Sequence, residues 1–520
     1  MEGDRAASAA GIDFEKFRLR PFVERLIALG EVDVHEERVA LSDVSAIIES
    51  SPRASLFRNA GPEGFELVGA VSGGRRRLAA AFGVDERSLA REYMRRMGNP
   101  QPIVEVPSDA APVHETVIAG ADIDLTALPF HLQHEFDGGA YITSGIDYTV
   151  DPATGKPNVG CRRLMLRSRT SMQANLTQPS DMRTIYMGCV ERGERLPVSY
   201  VVGSHPLDFL AAGLRLPVDE FGLVASLRGE PVPMVRGISN GVPVPADAEV
   251  VIEGYFDELG YREIEGPYGE FNGHYGAPHI DPVFQVTAIT MRGDALHQTM
   301  LHSGRLLART DSGNLGAINS EVAVWRVLRA AGIEPTAIRS MPSANGRQHI
   351  RVSLPRAGGA EQARLVFAAL FPIPYVKHVF VVDDDVDVFS DEQVEWAMAT
   401  RFRADTDLVV EDGCKPFYME PMIADDGTMT KAGFDLTEPR DKADTVGNWL
   451  AVAPRLKRAP RYQNVRQALE AGPMFFSRLM EALGSDDGRE ISLELHELRE
   501  EGALDRLENG EWSLKATARE

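Results

Sequence analysis

The 520-residue chain is poor in cysteine and contains no long apolar run. Its three cysteines, Cys161, Cys189 and Cys414, cannot build a disulfide framework, and no two of them have the spacing of a zinc site. No stretch of about 18 apolar residues is present, so no membrane-spanning helix is expected. The polar N-terminal segment, MEGDRAASAAGIDFEKF, lacks the apolar core of a signal peptide. We therefore expect a cytoplasmic protein.

Positive charge is also scarce. The chain has 55 Lys and Arg against 77 Asp and Glu, which gives a formal net charge of −22. A surface with this excess of negative charge repels phosphate backbones and anionic lipids, so nucleic acids and membranes are poor candidates as partners. Hydrophobic residues make up 43% of the chain, which is enough to build a substantial core.

Several common catalytic signatures are missing. There is no Walker loop, no G-x-S-x-G elbow and no H-E-x-x-H motif; HELRE at 496–500 shares only the first two letters of the last. The sequence therefore gives no sign of a P-loop NTPase, an α/β-hydrolase or a zinc protease of that kind.

The hydrophobic patterns predict four regions. Residues 1–115 mix helical and extended patterns, which indicates an N-terminal α/β domain. Residues 116–315 contain short strands rich in Val, Ile, Tyr and Thr with one helix candidate, HPLDFLAAGLRL, which favours a barrel-like sheet. In residues 316–462 helices and strands alternate, as in an α/β domain. Residues 463–520 read as a helical tail with a structural role.

An unusual loop carries two acids close together. In EIEGPYGEFNGHYG, residues 263–276, Glu265 and Glu270 flank a Gly-Pro-Tyr-Gly turn. Gly and Pro exclude a regular helix here and predict an ordered turn. By itself, this pattern also fits carboxylates that only cap neighbouring backbone N–H groups.

A basic segment, NVGCRRLMLRSR at 158–169, has a strand-like pattern. Strict alternation would place Arg163, Arg167 and Arg169 on one face and Arg162 on the other. Alone, such a run is more often a solvated edge strand. Combined with the acid loop it suggests more, because an Arg between two acids keeps one ionised and leaves the other able to carry a proton. That arrangement suits an enzyme that binds a carboxylate and delivers a proton.

This combination resembles the UbiD family of prenylated-FMN-dependent decarboxylases. The family pattern is N-x-x-x-x-R followed by E-G-P-[FY]-G-[DE], which matches Asn158, Arg163 and residues 265–270. The Leu-Phe-x-Asn and Gly-Arg-Arg-Arg-Leu segments, VIEGYFD and VKHVFVVDDDVDVF are also similar, so the likeness covers roughly residues 15–450.

The resemblance implies an α/β protein with an N-terminal α/β region, a central split β-barrel that binds flavin, and a C-terminal α/β domain with a helical tail. It implies reversible, non-oxidative decarboxylation of an aromatic or heteroaromatic carboxylic acid. The implied cofactors are prenylated FMN, a divalent metal such as Mn, and K+. A flavin prenyltransferase would supply the cofactor, and the family resemblance implies a homodimer or a homohexamer.

Residue by residue, the resemblance implies a catalytic trio of Arg163, Glu265 and Glu270, with Glu270 as the proton donor. Asn158 would be a metal ligand. The residues that fall where the family contacts the cofactor are Asn158, Cys161, Arg162, Arg163, Met172, Gln173, Ala174 and Asn175. His297 and His302 would contact the substrate, although a histidine beside a core strand is an equally common explanation for each.

The sequence departs from the family at the metal site. The family's metal-binding Glu aligns with Pro233, and the nearest substitute is Glu230; a His that some members have near Gln173 or Ala174 is absent. Two alternatives therefore stay open: a non-catalytic subunit of a carboxylase assembly, and an oxidoreductase that uses unmodified FMN. The acids Asp383, Asp384, Asp385 and Asp387 are interpreted as a strand end and helix cap rather than a metal site.

Overall fold

The computed structural model describes residues 11–216, 218–356, 361–417, 419–438 and 451–515. The chain forms two compact units, residues 1–436 and 437–520, which are described separately. No helix of the described residues is long and apolar enough to cross a membrane. Short 3₁₀ helices lie at Leu41–Asp43, Ser108–Ala110, Pro112–His114, Gly120–Asp122, Leu125–Ala127, Leu307–Arg309 and Pro342–Ala344.

The first unit begins with a small α/β layer. Its elements are α1 (Leu19–Ala28), β1 (Val32–His35), α2 (Val44–Ser50), β2 (Ala54–Ala60), β3 (Phe65–Gly69), α3 (Arg75–Phe82) and α4 (Leu89–Met97). Strand β2 pairs parallel with β1 and antiparallel with β3. The sequence segment SLFRNA lies in β2, and the segment ELVGAV begins in β3.

A closed β-barrel forms the middle of this unit. The strands after α4 are β4 (Ile103–Glu105), β5 (Thr116–Ala119), β6 (Tyr141–Val150), β7 (Pro157–Leu166), β8 (Ser171–Ala174), β9 (Leu196–Val202), β10 (Val232–Arg236), β11 (Pro243–Pro245), β12 (Val250–Phe256), β13 (Glu263–Glu265), β14 (Tyr268–Gly269), β15 (Tyr275–Gly276), β16 (His279–Asp281), β17 (Val283–Met291) and β18 (His297–Thr299). The barrel order is β12-β9-β6-β7-β8-β17, and β12 pairs with β17 to close it. Closure removes free sheet edges, and apolar side chains including Tyr200, Phe256 and Phe284 fill the interior.

Three helices, rather than the single one predicted, interrupt these strands: α5 (Asp181–Arg192), α6 (Pro206–Ala212) and α7 (Glu220–Arg228). The side chain of Asp219 caps α7 by accepting from the backbone N–H of Phe221. Residues of α7 are buried on nearly every side, so its sequence lacks the apolar stripe by which a surface helix is recognised.

The acid loop is built from two short antiparallel ladders. Strand β13 pairs with β16, and within that hairpin β14 pairs with β15. Strand β18 leaves this region and pairs parallel with β3, so it joins the N-terminal sheet.

The C-terminal part of the first unit alternates helices and strands, as predicted. Its elements are α8 (Asp311–Ala330), β19 (Ala337–Ser340), β20 (His349–Leu354), α9 (Gln362–Leu370), β21 (His378–Asp383), α10 (Asp391–Thr400), β22 (Leu408–Cys414) and β23 (Met429–Asp435). The sheet order is β19-β20-β21-β23-β22. Asp385 pairs with Arg401 and Asp387 with Arg87, which agrees with a structural role for these acids.

The second unit is a small helical domain with a hairpin. It contains α11 (Val465–Glu470), α12 (Phe476–Leu483), α13 (Arg489–Glu500), β24 (Leu504–Arg506) and β25 (Trp512–Leu514). Its own core includes Leu479, Ile491 and Leu495. The predicted helix, turn and strand at the end of the chain correspond to α13 and the β24–β25 hairpin.

Candidate active site

A cavity of about 730 Å³ opens beside strand β7 and is called the barrel cavity below. The acid loop forms one wall, and residues 419–421 of the C-terminal part contribute another. Its charged and polar lining includes Arg162, Arg163, Asn175, Glu270, His279 and His302. The volume falls in the range of pockets that enclose a cofactor or a small ligand.

The structure brings Arg163, Glu265 and Glu270 together at this wall. The Nε and Nη2 groups of Arg163 donate to Glu265 Oε1 at 2.9 Å and Oε2 at 2.8 Å. Its Nη1 donates to Glu270 Oε1 at 2.6 Å. The guanidinium also lies over the ring of Tyr268, 4.3 Å from the ring centroid. The two acids therefore hold the guanidinium in one orientation.

A β-bulge in β6 lies opposite Arg163. The register between β6 and β7 shifts between Ile142 and Gly145, which face the residues on either side of Arg163. The bulge bends β6 at this point. Arg162 lies beside Asp147, whereas Arg163 lies over the ring of Tyr268, so the two side chains have different neighbours although both line the barrel cavity. The predicted placement of Arg162 and Arg163 on opposite faces of the strand agrees with these contacts.

The other two arginines of the basic segment are not in this site. Strand β7 ends at Leu166, so Arg167 and Arg169 lie beyond it. Arg167 pairs with Glu263 and Arg169 with Asp124. The side chains of Arg167 and Arg169 are 28% and 77% exposed, so these ion pairs contribute little to the stability of the fold.

The predicted ordered turn is present and is fixed by glycine. Gly266 has φ of +85°, a region that side chains other than glycine rarely occupy. Its carbonyl lies so close to Gly138 that a Cβ built there would be 2.1 Å from the oxygen. Gly138 N–H donates to Pro267 O at 2.8 Å, and Asp137 accepts from Gly269 N–H at 2.9 Å. The acid loop is therefore anchored to residues 137–138.

The two acids have different environments. Glu265 is fully buried, which alone would raise its pKa, but its hydrogen bonds and charge interaction with Arg163 lower that pKa below the ordinary value. Tyr141 also donates to Glu265 Oε1 at 3.0 Å. Glu270 accepts one bond from Arg163 and keeps 13% of its side chain exposed at the barrel cavity. Glu265 is thus held as an anion, whereas Glu270 lies where a molecule bound in the barrel cavity can contact it.

A second polar group lies around Asn158, at the other end of β7 from Leu166. Asn158 Nδ2 is 3.4 Å from Asp147 Oδ2, and Glu220 Oε2 accepts from Val159 N–H at 2.5 Å. Burial raises the pKa of Glu220 to about 7 and also raises that of Asp147. Arg162 Nε lies 3.6 Å from Asp147. These oxygen donors fit a hard divalent cation, and the cation would relieve the buried carboxylates.

The prediction for the metal-binding carboxylate was misplaced. Pro233 lies in β10, paired with Val104 of β4, and the half-buried Glu230 pairs with Lys16. The carboxylate beside Asn158 is Glu220, at the start of α7. Asp219 followed by Glu220 is a typical start of a helix, so the sequence contained a signal for α7, but this helix was not predicted.

Only some of the predicted cofactor contacts line the barrel cavity. Cys161 and Asn175 do, together with the two arginines. Met172, Gln173 and Ala174 are fully buried in β8, which is paired on both sides by β7 and β17. Met172 and Ala174 belong to the barrel core, whereas Gln173 Nε2 donates to Glu263 O at 3.0 Å. None of the three lines the barrel cavity, and the cofactor contacts predicted for them stay a prediction.

The two predicted substrate histidines separate in the structure. His302 lines the barrel cavity; its Nε2 lies 3.2 Å from Thr143 O, and burial lowers its pKa to about 4, so the ring is neutral at pH 7. His297 lies in β18 with its ring packed edge-on against Phe65, 5.0 Å between centroids. His297 does not line the barrel cavity, and its contact with substrate stays a prediction that this position does not support.

Three regions match the domain models of one protein family. Residues 29–97, 104–305 and 313–436 match the N-terminal, Rift-related and C-terminal domains of 3-octaprenyl-4-hydroxybenzoate carboxy-lyase. The chain belongs to the UbiD family. It is therefore a member of a family of decarboxylases, and the predicted resemblance and fold class are confirmed.

Relatives within the family carry different names. An anhydromevalonate phosphate decarboxylase of Methanosarcina mazei is 30% identical over 81% of this chain and 96% of its own. A phenolic acid decarboxylase of a Streptomyces species is 29% identical over 84% of this chain and 95% of its own. The UbiD-class enzyme HmfF from Pelotomaculum thermopropionicum, solved with FMN, is 29% identical, with a TM-score of 0.78 over 84% of this chain and 97% of its own. An evolved dimeric form of that enzyme has been solved with prenylated FMN.

Proposed function

We propose that this protein is a prenylated-FMN-dependent decarboxylase of an aromatic or heteroaromatic acid. The net reaction is R–COO⁻ + H⁺ → R–H + CO₂. The observation that carries the proposal is the Arg163 guanidinium held between Glu265 and Glu270 at the wall of the barrel cavity. When bound, the modified flavin supplies the electron sink that no side chain can provide.

Each member of the trio has a distinct role in this proposal. Arg163 carries more N–H groups than its three bonds to the glutamates use, so the remaining groups can orient a substrate carboxylate. Glu265 holds the guanidinium in place from its buried side. Glu270 lies at the edge of the barrel cavity and delivers the proton to the carbon that loses CO₂.

The composition of the cavity wall favours an aromatic acid over a phosphorylated one. Tyr268, Phe271 and Met300 line the barrel cavity and supply flat or apolar surface. Among the described lining residues, Arg162 and Arg163 are the only Lys or Arg, and Arg162 lies beside Asp147. A substrate phosphate would therefore lack a free cation. The neutral ring of His302 offers a hydrogen-bond partner for a ring hydroxyl.

Cofactor loading and substrate screening test this proposal together. We expect protein co-expressed with a flavin prenyltransferase to release a flavin with the mass of prenylated FMN. The loaded protein should release CO₂ from benzoates, hydroxybenzoates or heteroaromatic acids, and not from a phosphorylated unsaturated aliphatic acid. Unmodified FMN with redox turnover would favour the oxidoreductase alternative. Absence of any bound flavin would favour a non-catalytic subunit.

The polar residues around Asn158 give a separate prediction. We propose that Asn158 and Glu220 hold a divalent ion, with Mn as the expected metal, against the cofactor phosphate. Asn158→Ala and Glu220→Gln should each weaken FMN binding about tenfold or more and lower the bound metal. FMN fluorescence quenching and elemental analysis measure both effects. Glu230→Gln is the matched control and should leave both unchanged; equal losses in all three variants would contradict the assignment.

A further inference from the structure

His279 and Asp281, which no sequence motif singled out, lie directly behind the trio. Both belong to β16, the strand that pairs with β13, which ends in Glu265. His279 Nδ1 is 2.9 Å from Asp281 Oδ2 and 3.5 Å from Glu265 Oε2. His279 also lines the barrel cavity, whereas both carboxylates are fully buried. The imidazole therefore stands between two buried acids at the cavity wall.

His279 and Asp281 also contact residues 175–177, which follow β8. Asp281 Oδ1 accepts from Leu176 N–H at 2.8 Å and from Thr177 Oγ1 at 3.1 Å. On the opposite side of the imidazole, His279 Nε2 is 2.9 Å from Asn175 Nδ2. Asn175 lines the barrel cavity and falls where the family contacts its cofactor. His279 and Asp281 thus connect residues 175–177 to Glu265.

The neighbours of the His279 ring indicate which of its nitrogens carries a proton. Nδ1 faces two carboxylates and must carry a proton, so in the neutral ring Nε2 accepts from the Asn175 amide. A cationic ring requires that amide to turn its oxygen toward Nε2. The hydrogen bond to Asp281 raises the pKa of His279, against the opposing effect of burial; Glu265 also raises it and Arg163 lowers it. The charge of the ring is therefore tied to the orientation of Asn175.

A metal ion is a poorer explanation of this cluster. The nearest ligand atoms of Glu265, His279 and Asp281 lie within 4.8 Å of one another, as they would around a metal. Both oxygens of Glu265, however, already accept from Arg163, and Asp281 Oδ1 accepts two bonds. A cation here would lie beside the Arg163 guanidinium, and the two positive charges would repel each other. The imidazole proton already supplies the positive partner that the two acids require.

We propose that His279 and Asp281 form a positioning dyad that couples flavin binding at Asn175 to the orientation of Glu265. The dyad holds Glu265 from the side opposite Arg163, and Asn175 carries the effect of a bound flavin to the imidazole. The inference rests on the flavin binding that belongs to the proposed function, but it does not depend on decarboxylation.

Two conservative variants and their combination test the dyad. Asp281→Asn keeps an oxygen for Leu176 and Thr177 but loses the carboxylate that faces His279. His279→Gln keeps an amide donor without the ring or its charge. Each should weaken FMN binding to the apo-protein about tenfold, and the double variant should be no weaker than the more severe single, because both remove one connected unit. His496→Gln, an exposed histidine on α13, is the control.

The loaded enzyme provides a second measurement. Each single variant should lower kcat about 10- to 100-fold with a smaller change in KM, since the carboxylate substrate still meets Arg163. Because the cationic form of His279 is lost as pH rises through its raised pKa, the alkaline limb of the wild-type kcat/KM profile should move to lower pH in Asp281→Asn. A merely structural residue would leave that limb in place.

The outcomes separate the two proposals. Unchanged FMN affinity in both single variants, or strictly additive losses in the double variant, would overturn the dyad even if the wild type decarboxylates. If the wild type does not decarboxylate but FMN binding shows the expected non-additive loss, the dyad stands and the proposed function falls. Stoichiometric binding of Mn²⁺ or Zn²⁺ that both single variants abolish would show a metal site instead and overturn the dyad.

Discussion

Glu270→Gln should lower the decarboxylation rate about 10²- to 10⁴-fold while leaving the absorption spectrum of the bound flavin unchanged. The amide oxygen can still accept from Arg163 Nη1, now 2.6 Å from the carboxylate, so the geometry of the trio is preserved. What is lost is the acid that gives a proton to carbon. Measurement of kcat with the loaded enzyme, together with the flavin spectrum, separates loss of proton delivery from loss of the cofactor.

Glu263→Gln is the matched control for this prediction. Glu263 lies in the same hairpin, two residues before Glu265, but its side chain is 42% exposed and pairs with Arg167 outside the trio. Its replacement should leave the rate unchanged. In D₂O the wild type should place one deuterium on the carbon that lost CO₂. Near-normal turnover by Glu270→Gln would assign the proton to a different group.

The sequence alone was sufficient for the fold class and the trio. The Arg163 strand and the Glu265–Glu270 turn could be recognised because each depends on local residue order: an Asn-to-Arg spacing, and a Gly-Pro turn between two acids. The alternating helices and strands after residue 315 were predictable for the same reason, since their apolar periods are visible within short windows.

Features that depend on tertiary contacts escaped prediction. The bulge opposite Arg163 depends on the pairing of β7 with β6, and no residue of β7 indicates it. Helix α7 is enclosed by other elements, so its apolar pattern has no helical period, and Glu220 at its start was overlooked in favour of Pro233. His297 begins β18, a strand that pairs with β3 of the N-terminal sheet, and this pairing is distant in sequence.

The site also shows how neighbouring groups give two glutamates different chemistry. Glu265 accepts hydrogen bonds from Arg163 and Tyr141, and His279 Nδ1 lies 3.5 Å from its Oε2. Glu270 has the Arg163 guanidinium on one side and the barrel cavity on the other. Because the same guanidinium contacts both acids, a change at Arg163 affects the buried Glu265 and the cavity-lining Glu270 together.

Arg163→Ala should remove activity and also destabilise the protein by about 3–5 kcal/mol, because it leaves the fully buried Glu265 without its main cationic partner. Chemical denaturation with FMN absent measures the stability effect apart from catalysis. Arg163→Lys should recover part of the stability but little activity, since a single ammonium cannot make the bidentate contact with Glu265. Arg169→Ala, at a side chain 77% exposed, is the control and should change stability by less than about 0.5 kcal/mol.

The loss of stability in Arg163→Ala should depend on pH, and the direction of that dependence can be predicted. In the wild type the lowered pKa of Glu265 contributes stability above the unfolded value, about 4.3, and that contribution is lost as pH falls through the folded pKa. In Arg163→Ala, burial is no longer opposed by Arg163, so the folded pKa rises above the unfolded one, and protonation then stabilises the folded state as pH falls. The difference in unfolding free energy between the two proteins should therefore narrow from pH 7 to pH 5. A constant or widening difference would mean that Arg163 does not hold Glu265 ionised.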